Sequence, residues 1–120
     1  RETLARHSGL ADFAFAIQGL GSGAITLDGS AELKWQWLPK VARGEAIAAF
    51  ALSEPDAGSD VAAMQCAARD DGDAYVLDGE KTWNTGVHVA SHDMIMARTS
   101  GKAGDGHGIT AFLVPTRAAK

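Results

Sequence analysis

Apolar side chains recur at helical spacing through the first segment, at Leu10, Phe13, Ala14, Ile17 and Leu20, with no proline among them. This periodicity predicts a helix from residue 2 to about 19, ended by the run Gly19-Leu20-Gly21-Ser22-Gly23. Asp28-Gly29-Ser30 then supplies an N-cap, and Leu33 with Trp37, followed by Leu38 with Ala42, places apolar pairs four apart on a second helical region. Pro39 removes an amide donor and crowds the turn before it. The expectation is a helix ending near Leu38 and a short turn from Pro39 closed by Gly44.

After Gly44 the period changes. Ala46-Ile47-Ala48-Ala49-Phe50-Ala51-Leu52 is a continuous apolar run of strand length that feeds the punctuated loop Ser53-Glu54-Pro55-Asp56-Ala57-Gly58-Ser59-Asp60. Further strands are predicted at about 64–69, 73–77, 80–84, 93–99 and 108–114. Asp78-Gly79 reads as the turn of a hairpin, since both residues accept positive φ. Helices followed by a run of antiparallel strands define an α+β fold, an N-terminal helical part and then an antiparallel β-barrel or sandwich-like domain. The division falls at 1–45 and 46–120.

Composition narrows the function classes. The 120 residues carry 11 basic and 15 acidic side chains, a net charge of -4, with no run of like charge. That leaves no electrostatic footprint for nucleic acid or an anionic membrane. The single cysteine, Cys66, excludes an internal disulfide, and 14 glycines indicate many turns. No apolar stretch is read as approaching the length of a bilayer span, so the protein is expected to be soluble. The chain opens on Arg1 with a helical pattern already under way and stops soon after an apolar run, which makes a longer polypeptide the expectation.

Several motifs invite chemistry. Gly19-Leu20-Gly21-Ser22-Gly23-Ala24 fits the loose dinucleotide fingerprint but lacks the preceding strand and following helix on which that motif depends, so it reads as a helix-ending turn. His88 and His92 stand four apart with Asp93 and His107 beyond them, yet in a non-helical context, so solvated loop histidines are expected and no metal site. Cys66 reads as a small buried hydrophobe. The loop from Ser53 to Asp60 is open to two readings: Gly58 and the hydroxyl of Ser59 suit an anion, whereas Glu54, Asp56 and Asp60 suit an ordinary acidic turn unless their charges are turned away.

Leu38-Pro39-Lys40-Val41-Ala42-Arg43-Gly44-Glu45, Phe50-Ala51-Leu52-Ser53-Glu54-Pro55-Asp56-Ala57-Gly58-Ser59-Asp60, Tyr75-Val76-Leu77-Asp78-Gly79-Glu80-Lys81-Thr82-Trp83 and Ala97-Arg98-Thr99 together resemble the central portion of the acyl-CoA dehydrogenase family, in register through nearly the whole chain. The resemblance implies a fragment of an FAD-dependent flavoenzyme, the end of a helical domain and most of a β domain, that oxidises the Cα–Cβ bond of an acyl-CoA thioester. An acyl-CoA oxidase, another flavin enzyme on the same fold, or a binding module without chemistry would share these motifs.

Carried over by position, the resemblance places Phe50, Leu52 and Ser53 at the flavin ring and Gly58 and Ser59 at the FAD pyrophosphate, with Ser59 also near the acyl-CoA. Trp83, Asn84 and Thr85 fall in the segment flanking the isoalloxazine, the Thr85 hydroxyl at flavin N5. Asn84 stands where the family usually has isoleucine, and Gly86 where it has asparagine. The family's base is a glutamate from a C-terminal helical domain, so neither Glu54 nor Glu80 is assigned that role. The resemblance further implies electron-transfer flavoprotein or a similar acceptor as partner, a homo-oligomer at full length, and a cytoplasmic or mitochondrial-matrix location.

Overall fold

Ser8 breaks the first helical region in two. Its backbone is extended and its hydroxyl accepts from Ala11 N at 3.2 Å, so α1 (Glu2–His7) ends there and α2 (Gly9–Asp28) begins under a side-chain cap. The structure, a computed structural model, describes residues 1–117. Helix α2 runs straight through the glycines that were expected to end it. Gly21 is where α2 touches the sheet: a Cβ there would lie 2.6 Å from Ala48 Cβ and 2.7 Å from Ala49 O. The glycine is present for close approach, and the turn reading of Gly19 to Gly23 is corrected.

Because it is unbroken, α2 has 20 residues and is long and apolar enough, by length and composition, to cross a membrane. This corrects the expectation that no such stretch exists. It is held to the sheet around Gln18 and Gly21, while Leu10, Phe13, Phe15 and Leu27 stand at least half exposed. Gln18 makes the attachment with both ends of its amide, accepting from Ala48 N at 2.8 Å and donating to Ala48 O at 3.3 Å.

Ser30 caps α3 (Ala31–Ala42) as expected, accepting from Leu33 N at 3.2 Å. The helix does not stop at Leu38. Pro39 lies inside it, and the carbonyl four residues back belongs to the exposed Trp35, where water can replace the lost donor. Gly44 at φ 73 closes the region.

Among the described residues five strands follow: β1 (Ala48–Ala51), β2 (Ala67–Asp70), β3 (Tyr75–Asp78), β4 (His92–Arg98) and β5 (Ile109–Pro115). β5 lies antiparallel along one side of β4 from His92↔Pro115 to Arg98↔Ile109. The other side takes β1 in parallel, Ala48↔His92 through Ala51↔Ile95, and then β2 in parallel at Ala67↔Arg98. β2 and β3 form an antiparallel hairpin. The order of helices then strands is as read from the sequence, whereas the sheet is mixed, because β1 and β4 reach each other only across a long excursion of chain. Residues 80–84 form no strand. The hairpin turn is Asp71–Ala74, where Asp71 N donates to Ala74 O and Gly72 N to Asp70 Oδ1, both within 2.9 Å.

The core is made of small residues. Ala46, Ala48, Ala49, Ala51, Ala68 and Ala97 are buried with Met64, Met94 and Cys66, and it is this small-residue interior that lets α2 approach β1 so closely.

Candidate functional site

β1 ends at Ala51, and the chain leaves it as Leu52 and Ser53 beside the irregular segment 80–85, joined by Thr82 N donating to Ser53 O at 2.9 Å. A buried ion pair locks the two segments together. Lys81 Nζ donates to Glu54 Oε1 at 2.8 Å and to Leu52 O at 3.0 Å, and its side chain is 9% exposed against 6% for Glu54. The same carboxylate accepts from Gln65 N at 2.7 Å and Cys66 N at 2.9 Å. Burial alone would raise its pKa, but the donors from Lys81 and the two amides outweigh that and hold it below the ordinary value. Glu54 therefore organises the loop with its charge satisfied, while Asp56 and Asp60 stand exposed on either side of Gly58 and Ser59.

A cavity of about 180 Å³ opens at this junction, lined by Ile17, Leu20, Phe50, Leu52, Ser53, Thr82, Trp83 and Thr85. Five of the eight residues singled out from the sequence, Phe50, Leu52, Ser53, Trp83 and Thr85, meet there. Ile17 and Leu20 of α2 and Thr82 join them. No acidic residue lines the cavity. Its wall is apolar apart from the hydroxyls of Ser53, Thr82 and Thr85, and Thr82 Oγ1 is buried without a hydrogen-bond partner. Trp83 is 88% exposed and holds φ 58, a left-handed conformation no other non-glycine residue adopts among the described residues.

Gly58 and Ser59 lie outside the cavity on the exposed stretch after the Glu54–Ala57 turn, and a Cβ on Gly58 would meet nothing within 4 Å. That side of the loop is open to a ligand. Asn84 is also placed elsewhere: its amide Nδ2 turns to Asp93 Oδ2 at 2.5 Å.

His92 corrects the solvated-histidine expectation. It is wholly buried, its ring 4.4 Å from that of Trp37, and burial lowers its pKa so that it is held neutral. His88 and His107 are exposed, and among the described residues no group of three metal-capable side chains forms. Cys66 is buried as expected and burial pushes its thiol up, away from nucleophilic use.

The sequence reading missed four structural roles: Gln18 on the edge of β1, Lys81 under Glu54, Asp93 beneath Asn84, and Arg98. The Arg98 guanidinium is buried and donates to the carbonyls of Ala62, Met64, Asp105 and His107, pinning the loops before β2 and before β5.

The chain is a mixed sheet edged by helices, with an apolar cleft rimmed by hydroxyls and one indole. The family model for the acyl-CoA dehydrogenase middle domain matches residues 49–120. The chain belongs to the acyl-CoA dehydrogenase family. It is 44% identical over 93 residues to the mitochondrial short-chain specific acyl-CoA dehydrogenase of Mus musculus, covering 78% of this chain and 22% of that protein. Against the mitochondrial isovaleryl-CoA dehydrogenase of Arabidopsis thaliana it is 39% identical over 114 residues, 94% of this chain and 28% of that one.

Among solved structures, a glutaryl-coenzyme A dehydrogenase in complex with glutaryl-CoA superposes with a TM-score of 0.86 at 37% identity, covering 97% of this chain and 29% of that one. A glutaryl-CoA dehydrogenase from Mycobacterium smegmatis in complex with FADH2 superposes with a TM-score of 0.80 at 40% identity, covering 96% of this chain and 28% of that one. The chain thus spans less than a third of the length of each of these relatives.

Proposed function

We propose that residues 1–45 and 46–120 are the end of a helical domain and the central β domain of an FAD-dependent acyl-CoA dehydrogenase, which oxidises the Cα–Cβ bond of an acyl-CoA thioester to the 2-enoyl-CoA. The observation that carries this reading is the meeting of Phe50, Leu52, Ser53, Trp83 and Thr85 in one cavity. The residues fit the ring system of a flavin: apolar side chains and an indole suit its faces, and hydroxyls suit its polar edge. When bound, the flavin supplies the acceptor for the hydride that leaves Cβ.

The chain's own residues bind, orient and exclude water. Ile17, Leu20, Phe50 and Leu52 keep the cavity wall dry. Trp83 offers an aromatic face, and Ser53 and Thr85 offer donors that fix the ring's register and stabilise charge gathering at its edge, Thr85 by turning its hydroxyl from the long 3.4 Å bond it makes to Trp83 O. Gly58 and Ser59, open to solvent beside a neutralised Glu54, suit the pyrophosphate, and Ser59 the acyl-CoA. The cavity holds no carboxylate, so the base that takes the Cα proton comes from elsewhere in the full-length protein. The exposed apolar side of α2 suits burial against the remainder of such a polypeptide. An electron-transfer flavoprotein or similar acceptor, a homo-oligomeric state, and a cytoplasmic or matrix location complete the proposal.

Thr85→Val tests it. The change removes a donor at nearly constant volume. In the full-length protein, anaerobic reduction by an acyl-CoA should be slowed by about tenfold or more, as for loss of one oriented donor, with unfolding midpoints unchanged. Wild-type reduction rates for Thr85→Val would overturn the placement of this hydroxyl at the ring.

A further inference from the structure

The segment from Trp83 to Val89 departs from the sheet and returns without pairing to any strand. Its backbone bonds are local, from Val87 N to Asn84 O at 3.4 Å and from Val89 N to Gly86 O at 3.0 Å. Among the described residues, a single hydrogen bond reaches from it to the sheet, the 2.5 Å contact of Asn84 Nδ2 with Asp93 Oδ2.

The two ends of that contact differ in rigidity. Asp93 is 5% exposed and lies in the central strand, its backbone in register with Ala49 of β1 and Val114 of β5. Its neighbour His92 is packed on Trp37. Asn84, by contrast, sits on the loop between two of the residues that line the cavity, Trp83 and Thr85. Trp83 holds a left-handed φ of 58, a conformation that costs free energy in an L-residue and persists only where its surroundings impose it.

Each side chain of the contact also leaves one oxygen unpaired. Asn84 Oδ1 and Asp93 Oδ1 are both buried with no hydrogen-bond partner, leaving two acceptors and no donor for them. A carboxylic acid at Asp93 supplies that donor. Burial favours the neutral form, raising the Asp93 carboxyl above its ordinary range against the weaker opposing pull of the Asn84 amide.

We infer that Asn84 and Asp93 form a neutral acid–amide clamp that holds Trp83 and Thr85 in the cavity, with Asp93 a positioning residue of the site. Asn84 thus answers to Asp93 by a polar contact, where the family resemblance has an isoleucine at position 84. The inference rests on the cavity being the flavin site only for its functional consequence; the clamp itself can be tested without flavin.

The experiment uses the full-length protein stripped of cofactor, with amide hydrogen exchange read over residues 82–90 and FAD affinity measured separately by titration. Asp93→Leu should speed exchange of these amides by about tenfold or more, and weaken FAD by about tenfold. Asp93→Asn, which keeps an acceptor and supplies donors as the neutral acid does, should behave as wild type in both. The double variant Asn84→Ile with Asp93→Leu, an apolar pair in place of the polar one, should recover most of what Asp93→Leu loses.

Wild-type exchange in Asp93→Leu, equal damage from Asp93→Asn, or no recovery in the double variant would each overturn the clamp. Should Asp93→Leu not fold, Asn84→Ala applies the same test from the loop side and should loosen the same amides. Failure of the wild-type protein to bind FAD would overturn the assignment of the cavity, while the exchange result would still decide the clamp.

Discussion

Replacing Lys81 by methionine isolates the energetics of the buried pair beneath the cavity. The ammonium makes two bonds, to Glu54 at 2.8 Å and Leu52 O at 3.0 Å, and neither charged side chain is more than 9% exposed. Removing one member of a buried pair typically costs about 3–5 kcal/mol, because the remaining charge stays desolvated. Here Glu54 keeps the amides of Gln65 and Cys66 as donors, which places the expected loss near the lower limit, about 3 kcal/mol.

The pH dependence fixes the cause. In the wild type the Glu54 pKa is held below its ordinary 4.5, so its contribution is complete above that value and is lost as pH falls through the folded pKa. In Lys81→Met burial prevails and the folded pKa rises above the unfolded one, so the variant regains stability on acidification. The gap between the two proteins should therefore be widest near neutrality and close as pH falls below about 4.5. Urea unfolding of both full-length proteins followed by circular dichroism, repeated from pH 7 to pH 4, measures it. A loss under about 0.5 kcal/mol, or one that does not change with pH, would show that the pair is screened as at a surface and that the loop is held by other contacts.

Two further predictions follow from the packing. Gly21→Ala should destabilise by about 1–3 kcal/mol, the overpacking cost exceeding the helix-propensity gain, because its Cβ would press on β1; an unchanged thermal midpoint would refute the close approach of α2. His92 is buried neutral, with its pKa below the ordinary 6.5, so its protonation in the unfolded state draws stability away as pH drops below that value. His92→Phe, which keeps the contact with Trp37, should flatten that slope between about pH 6.5 and 5, and an unaltered slope in denaturant titrations would place its origin elsewhere.

The parts of the site readable from sequence were those written in short contiguous motifs. Phe50 lies in one strand with Leu52 and Ser53 just after it, Trp83 and Thr85 share one turn, and their identities survive any error in the elements around them. The hairpin assigned to Asp78-Gly79 failed because Gly79 serves another need: at φ 149, a Cβ on it would stand 2.7 Å from Cys66 Cα. Gly21 misled for the same reason, as a glycine selected for proximity looks identical to one selected for a turn. The partners Gln18 and Ala48, Lys81 and Glu54, or Arg98 and Met64 lie 27 to 34 residues apart, and no local pattern announces them. Strand direction was likewise hidden, since parallel and antiparallel neighbours share the same alternation.

The parallel pairing of β1 with β4 also bears on how the molecule assembles. Helix α2 and the β2–β3 hairpin close over short distances along the chain, but the Ile47 contact with Ser91 at the mouth of β1 and β4 spans 44 residues. Such a closure is slow, because the intervening chain surrenders its freedom before the strands gain their contacts. That intervening chain contains the Glu54 loop, the hairpin and the Trp83 turn. Two walls of the cleft, Phe50 to Ser53 and Thr82 to Thr85, lie near opposite ends of that excursion, so the cleft unites stretches of chain some thirty residues apart and is a product of the same long-range closure rather than of either local element.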